Sequence, residues 1–255
     1  MRTYVYVDGF NLYYGAVKDT RYKWLNLVEL TRQIIPAGHS IDKVKYFTAR
    51  VSGAHDPGAP ARQQVYLNAL RTLPDVEIHF GSFLAKTVWR RLTNLPVAGV
   101  RIDSAPPVTL PAGSHSVVGA RSQTLPVGSY PPLGRHKKKR KVPRPLPDAL
   151  IAEVHTMEEK GSDVNLAAHL LNDAWKNAFD VAVVISNDTD LVTPIQMVTV
   201  ERRRTVYVVC PGRWPMAPKL RAVASHPRHI HPAIFQKAQF ADPISGTTIS
   251  KPSSW

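Results

Sequence analysis

Three separated segments of this chain place aspartate where an apolar run ends or a helix begins. The run Thr3-Tyr4-Val5-Tyr6-Val7 leads into Asp8-Gly9-Phe10-Asn11-Leu12, and Val181-Ala182-Val183-Val184-Ile185 leads into Ser186-Asn187-Asp188-Thr189-Asp190. Between them stands Lys160-Gly161-Ser162-Asp163-Val164-Asn165. In an open parallel sheet, ligands bind beyond the carboxyl ends of the strands. Carboxylates gathered there repel one another unless a cation sits among them. The chemistry such a set suits is divalent-metal-assisted reaction at a phosphate.

Each aspartate also has a local explanation. Asp8 beside Gly9 suits a turn, Asp188 suits the N-cap of a helix starting at Thr189, and Asp163 in a first helical turn is favoured by the macrodipole. Their conjunction at strand ends is what favours a site. On that reading Asp8 and Asp188 are the primary ligands of a divalent ion such as Mg²⁺. Asp163 and Asp190 bind a second ion or orient water in the outer shell. Asn11 adds an acceptor and donor on the Asp8 turn, Ser186 and Asn187 are candidates for phosphate or a hydrated ion, and Lys160 is a candidate phosphate contact weighed against a solvated lysine. Cys210 has no evident histidine partner, and His226, His229 and His231 lack the further ligands a zinc site needs.

The elements that must hold these residues alternate. Thr3–Val7 reads as a strand, and Asn26 as the cap of a helix over 27–35 stopped by Pro36. Residues 43–51 and 76–83 read as strands, with helical spacing over 61–73 between them. Ser162 is the expected cap of a helix over 163–178, followed by a buried strand at 180–185. A helix over 190–200 follows with Pro194 in its first turn, then a last strand at 204–209. From Cys210 onward repeated prolines suggest a tail with one or two short helices. The alternation predicts an α/β fold, a parallel sheet covered on both faces.

The middle differs. No acidic residue lies between Asp103 and Asp148, and that stretch contains nine prolines and the run Lys137-Lys138-Lys139-Arg140-Lys141. Residues 96–147 are expected to be a Pro-rich basic loop insertion in a single domain formed by 1–95 and 148–255. The run reads as an RNA-gripping arm, or in a eukaryotic cell as a nuclear-import signal. The net charge of +14 favours a polyanionic partner. A single cysteine permits no intrachain disulfide and suits a reducing cytoplasm. No apolar run approaches the roughly 20 residues of a membrane span. A start rich in charged and polar residues carries no expected signal peptide, so a cytoplasmic location without membrane partners is expected.

The motifs Tyr6-Val7-Asp8-Gly9-Phe10-Asn11-Leu12, Glu158-Glu159-Lys160-Gly161-Ser162-Asp163-Val164-Asn165-Leu166-Ala167 and Val184-Ile185-Ser186-Asn187-Asp188-Thr189-Asp190-Leu191 resemble, in order and spacing, those of the NYN domain family, the LabA-like or DUF88 group with a PIN-like nuclease fold. The resemblance covers about residues 1–95 and 148–255. It implies a PIN-like Rossmannoid three-layer sandwich with a central parallel sheet in order 3-2-1-4-5. It also implies a Mg²⁺- or Mn²⁺-dependent endoribonuclease leaving 5′-phosphate and 3′-hydroxyl ends. The acidic cluster it implies is Asp8, Asp163, Asp188 and Asp190, with Asn11 and Ser186 beside it. RNA is the expected partner, and a homodimer is left open.

Two other classes compete. One is a nucleic-acid-binding regulator with a vestigial site. The other is a small-phosphate hydrolase, against which Phe10 stands where a haloacid-dehalogenase pattern needs a second aspartate. A dinucleotide-binding fold is disfavoured, since no G-x-G-x-x-G follows the first strand.

Overall fold

A computed structural model of the chain describes residues 1–54, 56–91, 122–124 and 150–255. The chain divides into two compact units, Met1–Phe83 with Glu159–Trp255, and Leu84–Glu158. The expected boundaries at 95/96 and 147/148, and the basic run 137–141, lie outside the described residues.

The first unit is built on a six-stranded parallel sheet. In chain order its elements begin with β1 (Arg2–Asp8), α1 (Gly9–Leu12) with a π-helical turn over Tyr13–Val17, α2 (Leu27–Arg32), β2 (Ser40–Thr48), α3 (Ala59–Arg71) and β3 (Val76–Phe80). A three-stranded sheet, in the order β4-β6-β5, is formed by β4 (Ser82–Arg91), β5 (Ser122–Thr124) and β6 (Leu150–Lys160), with β5 pairing antiparallel to β6. The first unit resumes with α4 (Ser162–Trp175), β7 (Val181–Ile185), a helical run whose central segment is α5 (Val192–Gln196), β8 (Thr205–Cys210), α6 (Pro218–Val223), β9 (His226–His229) and α7 (Pro232–Lys237). Its sheet order is β3-β2-β1-β7-β8-β9, every pair parallel. The first five strands reproduce the expected 3-2-1-4-5 order. The sixth, β9, is an addition. Its sequence His226-Pro227-Arg228-His229 carries no β-branched or aromatic signal, and it joins through backbone pairing at the sheet edge, where a proline is tolerated.

Period-two alternation feeds two cores. On β1, Val5 and Val7 face a core with Leu12, Trp24, Leu30 and Leu67, while Tyr6 faces the other with Phe47, Leu166, Leu170 and Phe179. On β7, Val181, Val183 and Ile185 join the first core, and Ala182 and Val184 the second. A strand buried on both faces must be apolar throughout, which is why this run lacks alternation in sequence.

Several boundaries move. Asn26 does cap α2, accepting from the amides of Val28 and Glu29, but the helix ends at Arg32. Ser162 is not the cap of α4. That position is Gly161, at φ +93°, a left-handed conformation that suits glycine. Glu159 instead accepts from the Ser162 amide at 3.0 Å. The strands at 82–91 and 150–160 escaped the sequence reading, which ran the third strand on to Phe83.

Helix α4 is pinned to the sheet by a buried ion pair. Lys45 on β2 donates to Asp173 at 2.6 Å, and Tyr6 on β1 donates to the same carboxylate oxygen at 2.7 Å. Removing one partner of such a pair strands the other charge in the core, at a cost of about 3–5 kcal/mol. Asp173→Leu should therefore lower the denaturation midpoint sharply, and adding Lys45→Met should recover most of the loss. Urea unfolding of the three proteins checks this, and additive losses in the double variant would contradict it.

Candidate active site

Asp8 closes β1 and caps the turn that follows. Its Oδ1 accepts from the Asn11 amide at 2.8 Å. Its Oδ2 accepts from the Ser186 hydroxyl, just beyond β7, at 2.9 Å. The turn is tight because residue 9 is glycine: a Cβ there would stand 2.7 Å from the Phe47 carbonyl and from the Tyr46 ring. Asp8 is only 5% exposed. Burial pushes its carboxyl up to about 7, with the charges of Asp163 and Asp188 adding to the rise and the bonds from Asn11 and Ser186 opposing it.

The β7 edge is wired to the β1 edge. Ser186 donates to Asp8 and accepts from the Asp188 amide at 3.1 Å. Asp188 caps the following turn by accepting from the Asp190 amide at 2.9 Å. Asn11 accepts from the Asn187 amide at 3.0 Å, and the Asn187 side chain bonds the amide of Ala217 and the carbonyl of Pro215. Ser186 is buried, Asn11, Asn187 and Asp188 are half-buried, and Asp190 is exposed. Ser186 and Asn187, expected as phosphate or ion contacts, thus spend their hydrogen bonds holding Asp8 and the segment at 215–217.

Asp163 enters from the first turn of α4 and is half-buried. Its carboxyl is pushed up to about 6 by burial first, then by Asp188, Glu159 and Asp190. The helix macrodipole would act the other way, by about 0.3–1 kcal/mol, less than one pKa unit. Desolvation and carboxylate crowding win, so the macrodipole explanation does not account for the electrostatics at Asp163. Asp163 and Asp188 raise Asp8, and Asp188 and Asp190 raise Asp163.

Two members were not singled out from sequence. Glu159 lies close enough to raise Asp163. Gly81 lets the chain after β3 approach it: a Cβ at Gly81 would stand 2.6 Å from the Glu159 carboxylate and 2.7 Å from the Lys160 carbonyl. The usable signal was the Glu159-Lys160-Gly161 junction, where a turn immediately precedes a helix. Lys160 is exposed at the end of β6. Lys137, Lys138, Lys139, Arg140 and Lys141 lie outside the described residues.

The donors are hard oxygens. Among the described residues, no three Asp, Glu, His or Cys side chains stand together as a ready metal cage.

A raised carboxyl pKa has a definite effect on stability. Between about 4 and 7 the folded protein keeps a proton on Asp8 that the unfolded chain, at the ordinary 3.8, has already lost. The contribution of Asp8 to stability without metal is therefore favoured at low pH and lost as pH rises through about 7. At pH 8 in EDTA, Asp8→Asn should melt several degrees above wild type, and the difference should shrink toward pH 5. Ser186 can accept from the new amide, so the fold survives. A lower Tm for the variant at pH 8 would contradict the account.

Residues 133–231 match the NYN domain, a family that is generally one of nucleases with a nuclease-like fold. The chain is 27% identical over 230 residues to 6-hydroxy-3-succinoylpyridine 3-monooxygenase of Pseudomonas putida (strain DSM 28022 / S16), a match covering 83% of this chain and 60% of that protein's length. A crystal structure of a protein of unknown function from Vibrio parahaemolyticus is similar with a TM-score of 0.47 and 13% identity over 90% of this chain and 93% of that one, too loose a likeness to carry an argument. A parallel sheet flanked by helices and the domain match over residues 133–231 together support assignment to the NYN domain family.

Proposed function

We propose that this protein is a divalent-metal-dependent endoribonuclease that hydrolyses RNA phosphodiester bonds at Asp8, Asp163, Asp188 and Asp190. The observation that carries the reading is the gathering of carboxylates from three separate segments, two of them pushed up to about 7 and about 6. The match of residues 133–231 to the NYN domain, whose nucleases typically use divalent metals, supports it.

Asp8 and Asp188 would hold Mg²⁺ or Mn²⁺, and Asp163 and Asp190 would hold a second ion or orient water. Such an ion acidifies bound water and neutralises charge on the phosphate. The protein's own part is positional. Ser186 and the Asn11 amide fix the Asp8 carboxylate, and Asp188 is fixed by its bond to the Asp190 amide. Asp163, titrating near neutrality, is suited to take a proton from the attacking water. The water oxygen bonds to phosphorus, the bond from phosphorus to the 3′ oxygen breaks, and the proton passes to that oxygen. The products carry 5′-phosphate and 3′-hydroxyl ends.

A second reading rests on the monooxygenase relative, whose match spans 83% of this chain: oxygen-dependent hydroxylation of a small aromatic heterocycle. The two differ in what they consume. A gel assay of labelled single-stranded RNA with Mg²⁺, Mn²⁺ or EDTA should show metal-dependent cleavage by wild type. Asp8→Asn and Asp188→Asn should each lose about 10²-fold or more. Equal cleavage by wild type and both variants removes the catalytic assignment. RNA binding without cleavage supports a regulator. Oxygen uptake with a two-electron reductant and 6-hydroxy-3-succinoylpyridine, absent RNA cleavage, supports the oxygenase.

A further inference from the structure

Four aromatic side chains are exposed among the described residues: Tyr14 (45%), Phe80 (36%), Trp175 (43%) and Trp214 (66%). Three of them follow carboxyl ends of strands in the main sheet. Tyr14 is in the turn after β1, Phe80 is the last residue of β3, and Trp214 lies four residues past the end of β8. Each carries a cation over its ring: Lys18 at 5.2 Å from the Tyr14 centroid, Arg50 at 4.8 Å from Phe80 and Arg213 at 5.4 Å from Trp214.

These aromatics sit on the same edge as the acidic cluster. In the strand order β3-β2-β1-β7-β8, the sites of Asp8 and Asp188 fall between Phe80 and Trp214. The Trp214 loop is held against the Asp8 side of the edge, since Gly212 abuts Gly15 so closely that a Cβ on Gly212 would meet the Gly15 carbonyl at 2.8 Å. It is held to the β7 side by Asn187, which bonds Pro215 and Ala217. Phe80 is tied to α4 through its carbonyl, which accepts from Asn165 two residues beyond Asp163. Tyr14 lies beside Phe10, with an interplanar angle of 19° and a centroid distance of 6.3 Å. Four strand spacings of about 4.8 Å make this rim about 19 Å long.

We infer that Tyr14, Phe80 and Trp214 form a stacking rim that takes the unpaired bases of a single RNA strand on both sides of the acidic cluster. Base-on-aromatic stacking tolerates any sequence, and cations beside the rings suit the adjoining phosphates. A duplex hides its base faces and gains nothing from such a rim. The rim thereby selects unpaired over paired substrate. The inference rests on the proposed function for the identity of the strand and deepens it to a substrate class.

The test measures fluorescence anisotropy of a labelled single-stranded oligoribonucleotide in EDTA, where no cleavage competes, beside a duplex of the same length. Trp214→Ala and Tyr14→Ala should each weaken single-strand binding by about 5- to 150-fold. Trp214→Phe should restore most of the affinity. Trp175→Ala is the control, because Trp175 is about as exposed as Tyr14 and has Arg202 at 5.4 Å but lies at the far end of α4. It should leave binding unchanged. In the nuclease assay the rim variants should raise KM and spare the rate at saturating RNA. Binding unaffected by Trp214→Ala and Tyr14→Ala, or duplex bound as tightly as single strand, overturns the rim even if the protein cleaves RNA. Stacking-dependent binding by a protein that cleaves nothing keeps the rim and removes the nuclease reading.

Discussion

Carboxylate crowding at the carboxyl edge of the sheet is the constraint that the surrounding structure answers. Asp8 is buried and shares its surroundings with Asp163 and Asp188, and both burial and mutual repulsion disfavour its charge. Two hydrogen bonds, from the Asn11 amide and the Ser186 hydroxyl, oppose that cost without removing it. A fold with no use for the cluster would do better with neutral side chains at these positions. Keeping carboxylates there makes structural sense if a cation completes the site.

The architecture fixes where those carboxylates stand. Parallel pairing of β1 with β7 brings Asp8 and the 186–190 turn side by side, and burial of β7 on both faces prevents it from slipping. Asp163 depends on α4, and α4 is held by the Lys45–Asp173–Tyr6 contact ten residues further along. That buried contact joins β1, β2 and α4 in one place. The left-handed Gly161 and the glycine at 81 then allow the start of α4 to lie close to the chain after β3.

Much of this was legible in the sequence. The runs at 3–7 and 181–185 are apolar and lead into aspartates, and helical spacing alternates with such runs, so a parallel sheet with an acidic edge follows from elementary rules, while the sheet order came from the family resemblance. The capping roles of Asp8 and Asp188 were equally legible, and both are present: a cap and a ligand can be the same carboxylate, since each oxygen has two lone pairs. What escaped was set by tertiary contact. β9 has no strand signal because backbone pairing alone makes it a strand. Ser162 has the ideal type for a cap, yet a glycine that can reach φ +93° took the position and a glutamate took the amide. Asn187 and Ser186 look like ligand contacts in sequence, and only the fold reveals that their hydrogen bonds are already committed. The rim aromatics are scattered over 200 residues and share nothing until the strands align.

The central claim is that a divalent cation neutralises carboxylates that the metal-free fold keeps partly protonated. Titration calorimetry of Mn²⁺ at pH 6.5, in two buffers of different ionisation enthalpy, measures ion binding and proton release together. The account predicts binding with release of a substantial fraction of a proton, and loss of both in Asp8→Asn. Wild-type protein that binds no Mn²⁺, or binds it without releasing protons and equally well after Asp8→Asn, would contradict it.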